Sequence, residues 1–178
     1  MSTFELFNGS CTALTADAVV NAANRYLAEG GGICGRIFSE AGRRELVIEC
    51  GKHKTPLKDG DAVITSACSM KNFKAIIHTV GPDFRSKPDA FKELFDAYYN
   101  SLVVLKENGL HSISFPLISA GIFAGRLPKP AAESTKQCLR AYKKFTADYP
   151  EYDIDIKLCA YSVNEMADAK AVCGEFRM

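Results

Sequence analysis

Three adjacent glycines, Gly30-Gly31-Gly32, lie between an apolar segment and a predicted helix that begins near Ile33. Glycine permits positive φ angles and removes every Cβ, so that a ligand can lie against bare backbone. A helix starting here would direct its unpaired N–H groups and the positive end of its dipole at an anion. Glycine clusters are also typical of flexible turns, and the spacing fits neither the dinucleotide fingerprint nor the P-loop. By itself the cluster allows both a turn and a phosphate site.

A second glycine-containing loop, 116–125, follows another predicted strand. Its small residues would again expose backbone donors, whereas Ile122 and Phe123 are apolar where a plain surface loop would be polar. Phe123 could fill the core or pack its ring against a sugar. Two such loops at the carboxyl ends of strands in an open α/β sheet form the crevice expected for a phosphorylated ligand.

The elements that would position these loops alternate along the chain. Apolar, β-branched runs predict strands at Ala18–Val20, Ala62–Thr65, Ala75–Val80, Ser112–Phe115 and Ile154–Leu158. Helical spacing predicts a helix that has Pro88 near its start and Gly109 just past its end. Two more helices are predicted, one from about Pro130 to Phe145 and one with Asn164 as N-cap. The polar segment 52–60 is predicted to be a surface loop. Alternating strands and helices with unbroken apolar strands predict one three-layer α/β domain over residues 1–178.

Composition excludes several classes of function. The formal net charge of +1 argues against a surface that neutralises many nucleic-acid phosphates. The N-terminus lacks a signal-peptide pattern, and no apolar run is long enough to span a membrane. Seven scattered cysteines and three histidines show no zinc-like spacing, which favours reduced thiols in a cytoplasmic protein. We therefore expect no metal and no cofactor.

The two loops occur within longer strings that resemble the macrodomain family. These strings are Asp17-Ala18-Val19-Val20-Asn21-Ala22-Ala23-Asn24, the glycine triplet with Ala41-Gly42, Ile77-His78-Thr79-Val80-Gly81-Pro82, and 112–123. They follow the family's order and spacing over essentially the whole chain, which is MacroD-like overall. The resemblance implies an α/β/α macrodomain with a mixed, mostly parallel sheet. It also implies a monomer whose partner is ADP-ribose or a mono-ADP-ribosylated protein.

The resemblance also assigns roles to residues. It implies that Asn24 binds the distal ribose, that Asn21 braces the loop, that Phe123 packs against the distal ribose, and that Tyr161 stacks on adenine. His78, on an apolar strand, is expected to be a satisfied core residue. The ligand-binding residues carried over are Ser10, Cys11, Asn21, Asn24, Gly31, Gly32, Ile33, Cys34, Pro116, Ser119, Ala120, Gly121, Ile122, Phe123 and Tyr161. The candidate catalytic residues are Asn24, Gly32 and Cys34.

Two departures from the family pattern bear on function. Many relatives have Gly-Asp-Ile-Thr where this chain has Gly9-Ser10-Cys11-Thr12, so the carboxylate that accepts from the adenine amino group is replaced by a neutral hydroxyl. MacroD-type hydrolases carry a water-positioning Asp where this chain has Cys34, and a histidine where it has Phe38. The Gly-Ile-Cys pattern instead resembles alphavirus macrodomains, which are regarded as active.

A thiol of ordinary pKa is a poor general base at neutral pH, and packing is the more natural role for Cys34. The expected activity is hydrolysis of the ester that links mono-ADP-ribose to acidic side chains, or deacetylation of O-acetyl-ADP-ribose. In either reaction the ligand phosphate and the glycine loop would orient the water. The alternative is a reader module that binds ADP-ribose without turnover.

Overall fold

The computed structural model describes residues 1–177, which form a central sheet between helices. The strands are β1 Thr3–Asn8, β2 Ala18–Ala23, β3 Ala62–Ser66, β4 Ala75–Val80, β5 Ser112–Pro116 and β6 Asp155–Ala160. The helices are α1 Gly32–Ala41, α2 Arg43–Cys50, α3 Phe91–Glu107, α4 Pro130–Asp148 and α5 Val163–Arg177, with short 3₁₀ turns at Cys11–Ala13 and Ile122–Ala124. Within these residues, no helix has both the length and the apolar character that a membrane crossing requires.

The sheet has the strand order β1-β6-β5-β2-β4-β3. Every neighbouring pair is parallel except β3 with β4, which is antiparallel. The prediction of a mixed, mostly parallel sheet is therefore confirmed. Because β1, β6, β5, β2 and β4 run in one direction, the loops that follow them all emerge at the same edge. We call this the carboxyl edge.

Two apolar clusters lie on opposite faces of the sheet and account for the unbroken apolar strands. Val20 and Ile77 pack on the face covered by α3 and α4, whereas Val19 and Ile76 pack on the face covered by α1 and α2. Successive side chains of a strand point to opposite faces, so a strand buried on both sides is apolar at most of its positions. All four of these side chains are fully buried.

Two predictions about the elements require correction. The edge strand β1 was not predicted, although Phe4 and Leu6 alternate with the exposed Thr3 and Glu5 in the manner of a half-buried strand. The N-cap of α5 was predicted at Asn164, which is wrong, because that residue lies inside the helix. The prediction of a surface loop at 52–60 is confirmed, since the segment connects α2 to β3.

The start of α5 is a capping box one residue before the helix. The backbone N–H of Glu165 donates to Ser162 Oγ at 3.1 Å, and the N–H of Ser162 donates to Glu165 Oε1 at 3.0 Å. This reciprocal pair satisfies two amides at the helix N-terminus. The signal for it, Ser followed three residues later by Glu, was present in the sequence.

Candidate functional site

A cleft of about 430 Å³ opens at the carboxyl edge, between the loop that follows β2 and the loop that follows β5. We call it the first cleft. Its walls come from the ends of β1 and β6, the start of α1, the β5 loop and the first turn of α5. The lining residues are Gly9, Ser10, Cys11, Gly32, Ile33, Arg36, Pro116, Leu117, Ala120, Gly121, Cys159, Tyr161 and Glu165.

Gly31, Gly32 and Gly121 are not required by close packing. A Cβ built on Gly31, Gly32 or Gly121 would meet no other atom within 4 Å. At Gly81, by contrast, a Cβ would lie 2.4 Å from Ser119 Oγ, so packing alone requires glycine there. Gly32 also has a φ of +58°, in the left-handed region that favours glycine. The open space in front of these backbones is therefore available to a ligand.

The N-terminus of α1 supplies amide donors to the first cleft. The helix begins at Gly32 and has Gly31 as its N-cap, without a capping side chain. The first N–H groups of a helix have no partner within it, and the helix dipole adds positive potential at this end. Since Gly32 and Ile33 line the cleft, the site is suited to an anion such as a diphosphate.

A second cavity of about 390 Å³ lies on the other side of the two loops. It is lined by Asn24, Arg25, Tyr26, Asp59, Val80, Gly81, Asp83, Ser86, Lys87 and Phe123. The β2 loop contributes Asn24 to this cavity and Gly32 to the first cleft, and the β5 loop contributes Phe123 and Gly121 in the same way. The residues predicted for the distal ribose are thus separated from those predicted for adenine, as the two ends of an extended ligand require.

Asn24 already makes three hydrogen bonds within its own loop. Its Oδ1 accepts from the backbone N–H groups of Tyr26 and Ala28, each at 3.1 Å, and its Nδ2 donates to the Ala28 carbonyl at 3.0 Å. One N–H of the amide remains to donate to a ligand. Asn24 therefore fixes the loop as well as facing the second cavity.

Asn21 and His78 form a buried polar pair below the loop. Asn21 is 1% exposed, and its Nδ2 donates to His78 Nδ1 at 3.0 Å, while its Oδ1 has no partner among the described residues. His78 Nε2 donates to Thr65 Oγ1 at 2.9 Å. Burial lowers the pKa of His78 to about 3, with His53 contributing, so the imidazole is neutral. The expectation that His78 is a satisfied core residue is confirmed.

Cys34 is packed rather than presented to the cleft. It is 5% exposed, and its Sγ donates to the Ala28 carbonyl at 3.7 Å. Burial raises the pKa of the thiol above its usual value, although the Gly30 backbone and the Asn21 side chain oppose the shift. A buried, protonated thiol is neither a nucleophile nor a general base at neutral pH. Its geometry suits the packing role that the sequence favoured.

Three other predicted residues use their side chains in ways the sequence did not indicate. Ser119 Oγ donates to the Pro82 carbonyl at 2.7 Å, so only its backbone is left for a ligand. Ile122 is 77% exposed and is not among the residues that line either cavity. Ser10 Oγ caps the 3₁₀ turn, where it accepts from the Thr12 N–H at 3.3 Å and lies 2.9 Å from Thr12 Oγ1.

Sequence reasoning missed two charged residues of the first cleft, Arg36 and Glu165. Arg36 follows Gly32 by four residues, one helical turn, which is the signal that could have found it. Its guanidinium makes no ion pair or hydrogen bond with any described residue. Glu165 shares the cleft with Ser10 and Tyr161, and its Oε1 accepts from the capping box. No local pattern reveals its position, because it depends on how α5 packs against the sheet.

No group of three or more His, Cys, Asp or Glu side chains among the described residues is arranged to hold a metal ion.

Comparisons with known proteins agree with this architecture. A family model described as Macro domain matches residues 20–137. The chain is 41% identical over 148 residues to an uncharacterized protein of Fusobacterium nucleatum, covering 82% of this chain and 81% of that protein. It is 43% identical over 129 residues to an O-acetyl-ADP-ribose deacetylase of Citrobacter koseri, covering 70% and 71% of the two chains.

Solved structures show the same likeness. The Oceanobacillus iheyensis macrodomain with ADP superposes with a TM-score of 0.88 at 30% identity, over 99% of this chain and 92% of that chain. The Trypanosoma brucei macrodomain in complex with ADP-ribose superposes with a TM-score of 0.81 at 29% identity, over 96% and 69%. The extent of the family match and the identity to the Fusobacterium nucleatum protein support one conclusion: this chain belongs to the Macro domain family.

Proposed function

We propose that this protein binds ADP-ribose across the carboxyl edge of its sheet and hydrolyses an ester on the distal ribose. The observation that carries the proposal is the pair of glycine loops, whose bare backbones face open space and divide the first cleft from the second cavity. A diphosphate between two nucleoside-sized spaces is the shape of ADP-ribose. Relatives named O-acetyl-ADP-ribose deacetylase, at 43% and 41% identity, support the hydrolytic reaction.

In this arrangement the diphosphate lies over the backbone of Gly32 and Gly121, against the N-terminus of α1. The adenosine lies toward Tyr161, which is 70% exposed and free to stack. The distal ribose lies toward Asn24 and Phe123 in the second cavity. Each half of the ligand then meets the residues that the family resemblance implied for it.

The reaction must proceed without a carboxylate at position 34. Water attacks the acyl carbon, the bond from that carbon to the ribose oxygen breaks, the ribose oxygen takes a proton, and a carboxylic acid is released that ionises at neutral pH. Because Cys34 is a buried thiol, we assign the orientation of the water to ligand phosphate oxygens and backbone amides of the glycine loop. The substrate is either mono-ADP-ribose on an acidic side chain or O-acetyl-ADP-ribose, since both are esters of the same sugar.

Recognition of the adenine amino group is assigned to Glu165. Ser10 is neutral and its oxygen already has Thr12 as a partner, whereas Glu165 brings a carboxylate into the same cleft, and its Oε2 has no hydrogen bond to any described residue. A hydrogen bond to a charged group is worth about 1.5–3 kcal/mol against about 0.5–1.5 kcal/mol for a neutral one. The carboxylate lost from the end of β1 is thereby replaced from α5.

A second candidate function is a reader module that binds ADP-ribose without turnover. The observation that favours it is Cys34, because a buried thiol takes the place of the water-positioning carboxylate. The two functions share the cleft and differ only in the chemical step. We also propose the cytoplasm as the site of action, since Cys11, Cys34, Cys50, Cys68, Cys138 and Cys159 are free thiols.

Binding is tested by calorimetry with ADP-ribose on Gly32→Glu and on a matched control, Gly109→Glu. Gly109 also has a positive φ, +67°, and open space at its Cβ, but it precedes β5 at the opposite edge of the sheet. Both substitutions introduce the same backbone strain and charge. We expect the affinity for ADP-ribose to fall at least about tenfold in Gly32→Glu alone, because an added carboxylate repels the diphosphate. Equal affinities in the two variants would refute the cleft assignment.

Turnover is tested by incubating the wild type with a Glu-linked mono-ADP-ribosylated protein and, separately, with O-acetyl-ADP-ribose. Release of ADP-ribose from either substrate supports the hydrolase. Binding without release at high enzyme concentration would establish the reader and exclude the hydrolase. The ratio of the two rates identifies the preferred ester.

A further inference from the structure

The second cavity contains a charged cluster that ADP-ribose itself does not require. Its inner wall is formed by buried, uncharged residues, among them Val80 and Gly81 at the end of β4. Its outer rim is formed by Arg25, Lys87 and the 68% exposed Tyr26. A ligand whose ribose occupies the inner part would direct whatever is attached to that ribose toward the rim.

Asp59 holds the two cations of the rim in place. Its side chain is 8% exposed, its Oδ1 accepts from Arg25 Nη2 at 3.0 Å and Nε at 3.3 Å, and its Oδ2 accepts from Lys87 Nζ at 2.8 Å. Arg25, Asp59 and Lys87 come from three separate loops. The cluster therefore fixes the rim of the cavity as well as its charge.

The cluster retains positive charge and unused donors. Two cations and one carboxylate leave one net positive charge, and the neighbouring Asp83–Arg85 ion pair is neutral. Arginine has five N–H donors and lysine three, so both side chains keep donors beyond those given to Asp59. About half of each cationic side chain is exposed, and these donors can therefore be reached from the cavity. Donors of this kind match the oxygens of a carboxylate or a phosphate, and the group attached to the distal ribose of the proposed substrate is an acyl group that leaves as a carboxylate.

We infer that the second cavity receives the acyl group of the ADP-ribosyl ester, and that Arg25 and Lys87 bind the carboxylate released by hydrolysis. The inference rests on the proposed function, since it places the distal ribose between Asn24 and Phe123. As the ester bond to the ribose oxygen breaks, the acyl carbon gains the oxygen of water and its two oxygens share one negative charge. The two cations stabilise that charge, and Asp59 acts as their positioning residue.

The test is Lys87→Met, with Lys87→Arg as the variant that keeps the charge. The matched control is Lys74→Met, which removes the lysine partner of the partly buried Asp17 at the opposite edge of the sheet. Two quantities are measured: kcat/KM for a Glu-linked mono-ADP-ribosylated peptide, and Kd for ADP-ribose, which has no acyl group. Thermal unfolding of each variant confirms that it is folded.

We expect Lys87→Met to lower kcat/KM about tenfold, the effect of one hydrogen bond to a charged group, and to change Kd less than about twofold. Lys87→Arg should recover most of kcat/KM, and Lys74→Met should match the wild type. Unchanged kcat/KM in Lys87→Met would overturn the acyl site and leave the proposed function standing. An equal loss in kcat/KM and in ADP-ribose affinity would also overturn it, because Lys87 would then act on ADP-ribose itself. Absence of hydrolysis by the wild type would overturn the proposed hydrolase and the acyl site together.

Discussion

Replacing His78 by glutamine tests whether the polar pair beneath the glycine loop is neutral. His78 is completely buried, and burial lowers its pKa to about 3, whereas an unfolded histidine has a pKa near 6.5. Between these values the unfolded chain binds a proton that the folded chain does not. Stability contributed by this group is therefore present above pH 6.5 and is lost as the pH falls toward the folded value.

The size of this loss follows from the two pKa values. Each pH unit below the unfolded pKa costs about 1.4 kcal/mol for one such group, which amounts to roughly 3 kcal/mol between pH 7.5 and pH 4.5. Carboxylates titrate in the same range, and their contribution cancels when the wild type is compared with His78→Gln. Glutamine keeps a donor and an acceptor but has no titrating group.

The assay is urea unfolding followed by circular dichroism from pH 7.5 to pH 4.5 at constant ionic strength. We expect the free energy of unfolding of the wild type to fall by roughly 3 kcal/mol relative to that of His78→Gln over this range. Thr65→Val removes a partner of His78 but keeps the titrating ring. The difference in free energy of unfolding between the wild type and Thr65→Val should therefore vary little with pH. A pH-independent difference for His78→Gln would refute the claim that the buried ring is neutral.

Three further predictions concern the site. Cys34→Ala should lower the free energy of unfolding by about 1 kcal/mol, measured with urea. Its kcat/KM for the ester should stay within about threefold of the wild type, because the thiol packs rather than reacts. A loss of about 100-fold in kcat/KM would assign the thiol a chemical role. Glu165→Gln can still cap α5. The ratio of the affinities for ADP-ribose and its inosine analogue, measured by calorimetry, should fall about fivefold in this variant. An unchanged ratio would remove Glu165 from adenine recognition. Ser10→Asp should raise the affinity for ADP-ribose about fivefold in the same assay, and no gain would mean that the end of β1 does not face the amino group.

Much of the fold could be predicted from local pattern. The apolar runs that became β2 and β4 are buried on both faces, and a strand of that kind has a continuous apolar signature. The edge strand β1 was missed because one of its faces is exposed at Thr3 and Glu5, which leaves a weaker alternating signal. The N-cap of α5 was predicted at Asn164 rather than at Ser162, because both residue types cap helices. The choice between them depends on which side chain accepts from the N–H of Glu165.

The sequence by itself determined the two glycine loops, their place after buried strands, and the family to which their strings belong. Those features are local: glycine spacing, apolar runs and quoted strings do not depend on which strand lies beside which. Only the tertiary structure decided that Asn24 braces its own loop, that Cys34 is buried, and that Glu165 lines the first cleft together with Ser10.

The cluster of Arg25, Asp59 and Lys87 shows most clearly why such contacts could not be predicted from the sequence. These residues are separated by 34 and 28 positions along the chain and meet only because the loops around the ends of β2 and β4 converge at one edge of the sheet. Their charge and spacing carry no periodic signal. Contacts of this kind depend on strand order and loop conformation, and the free energy that fixes them comes from packing of the whole domain.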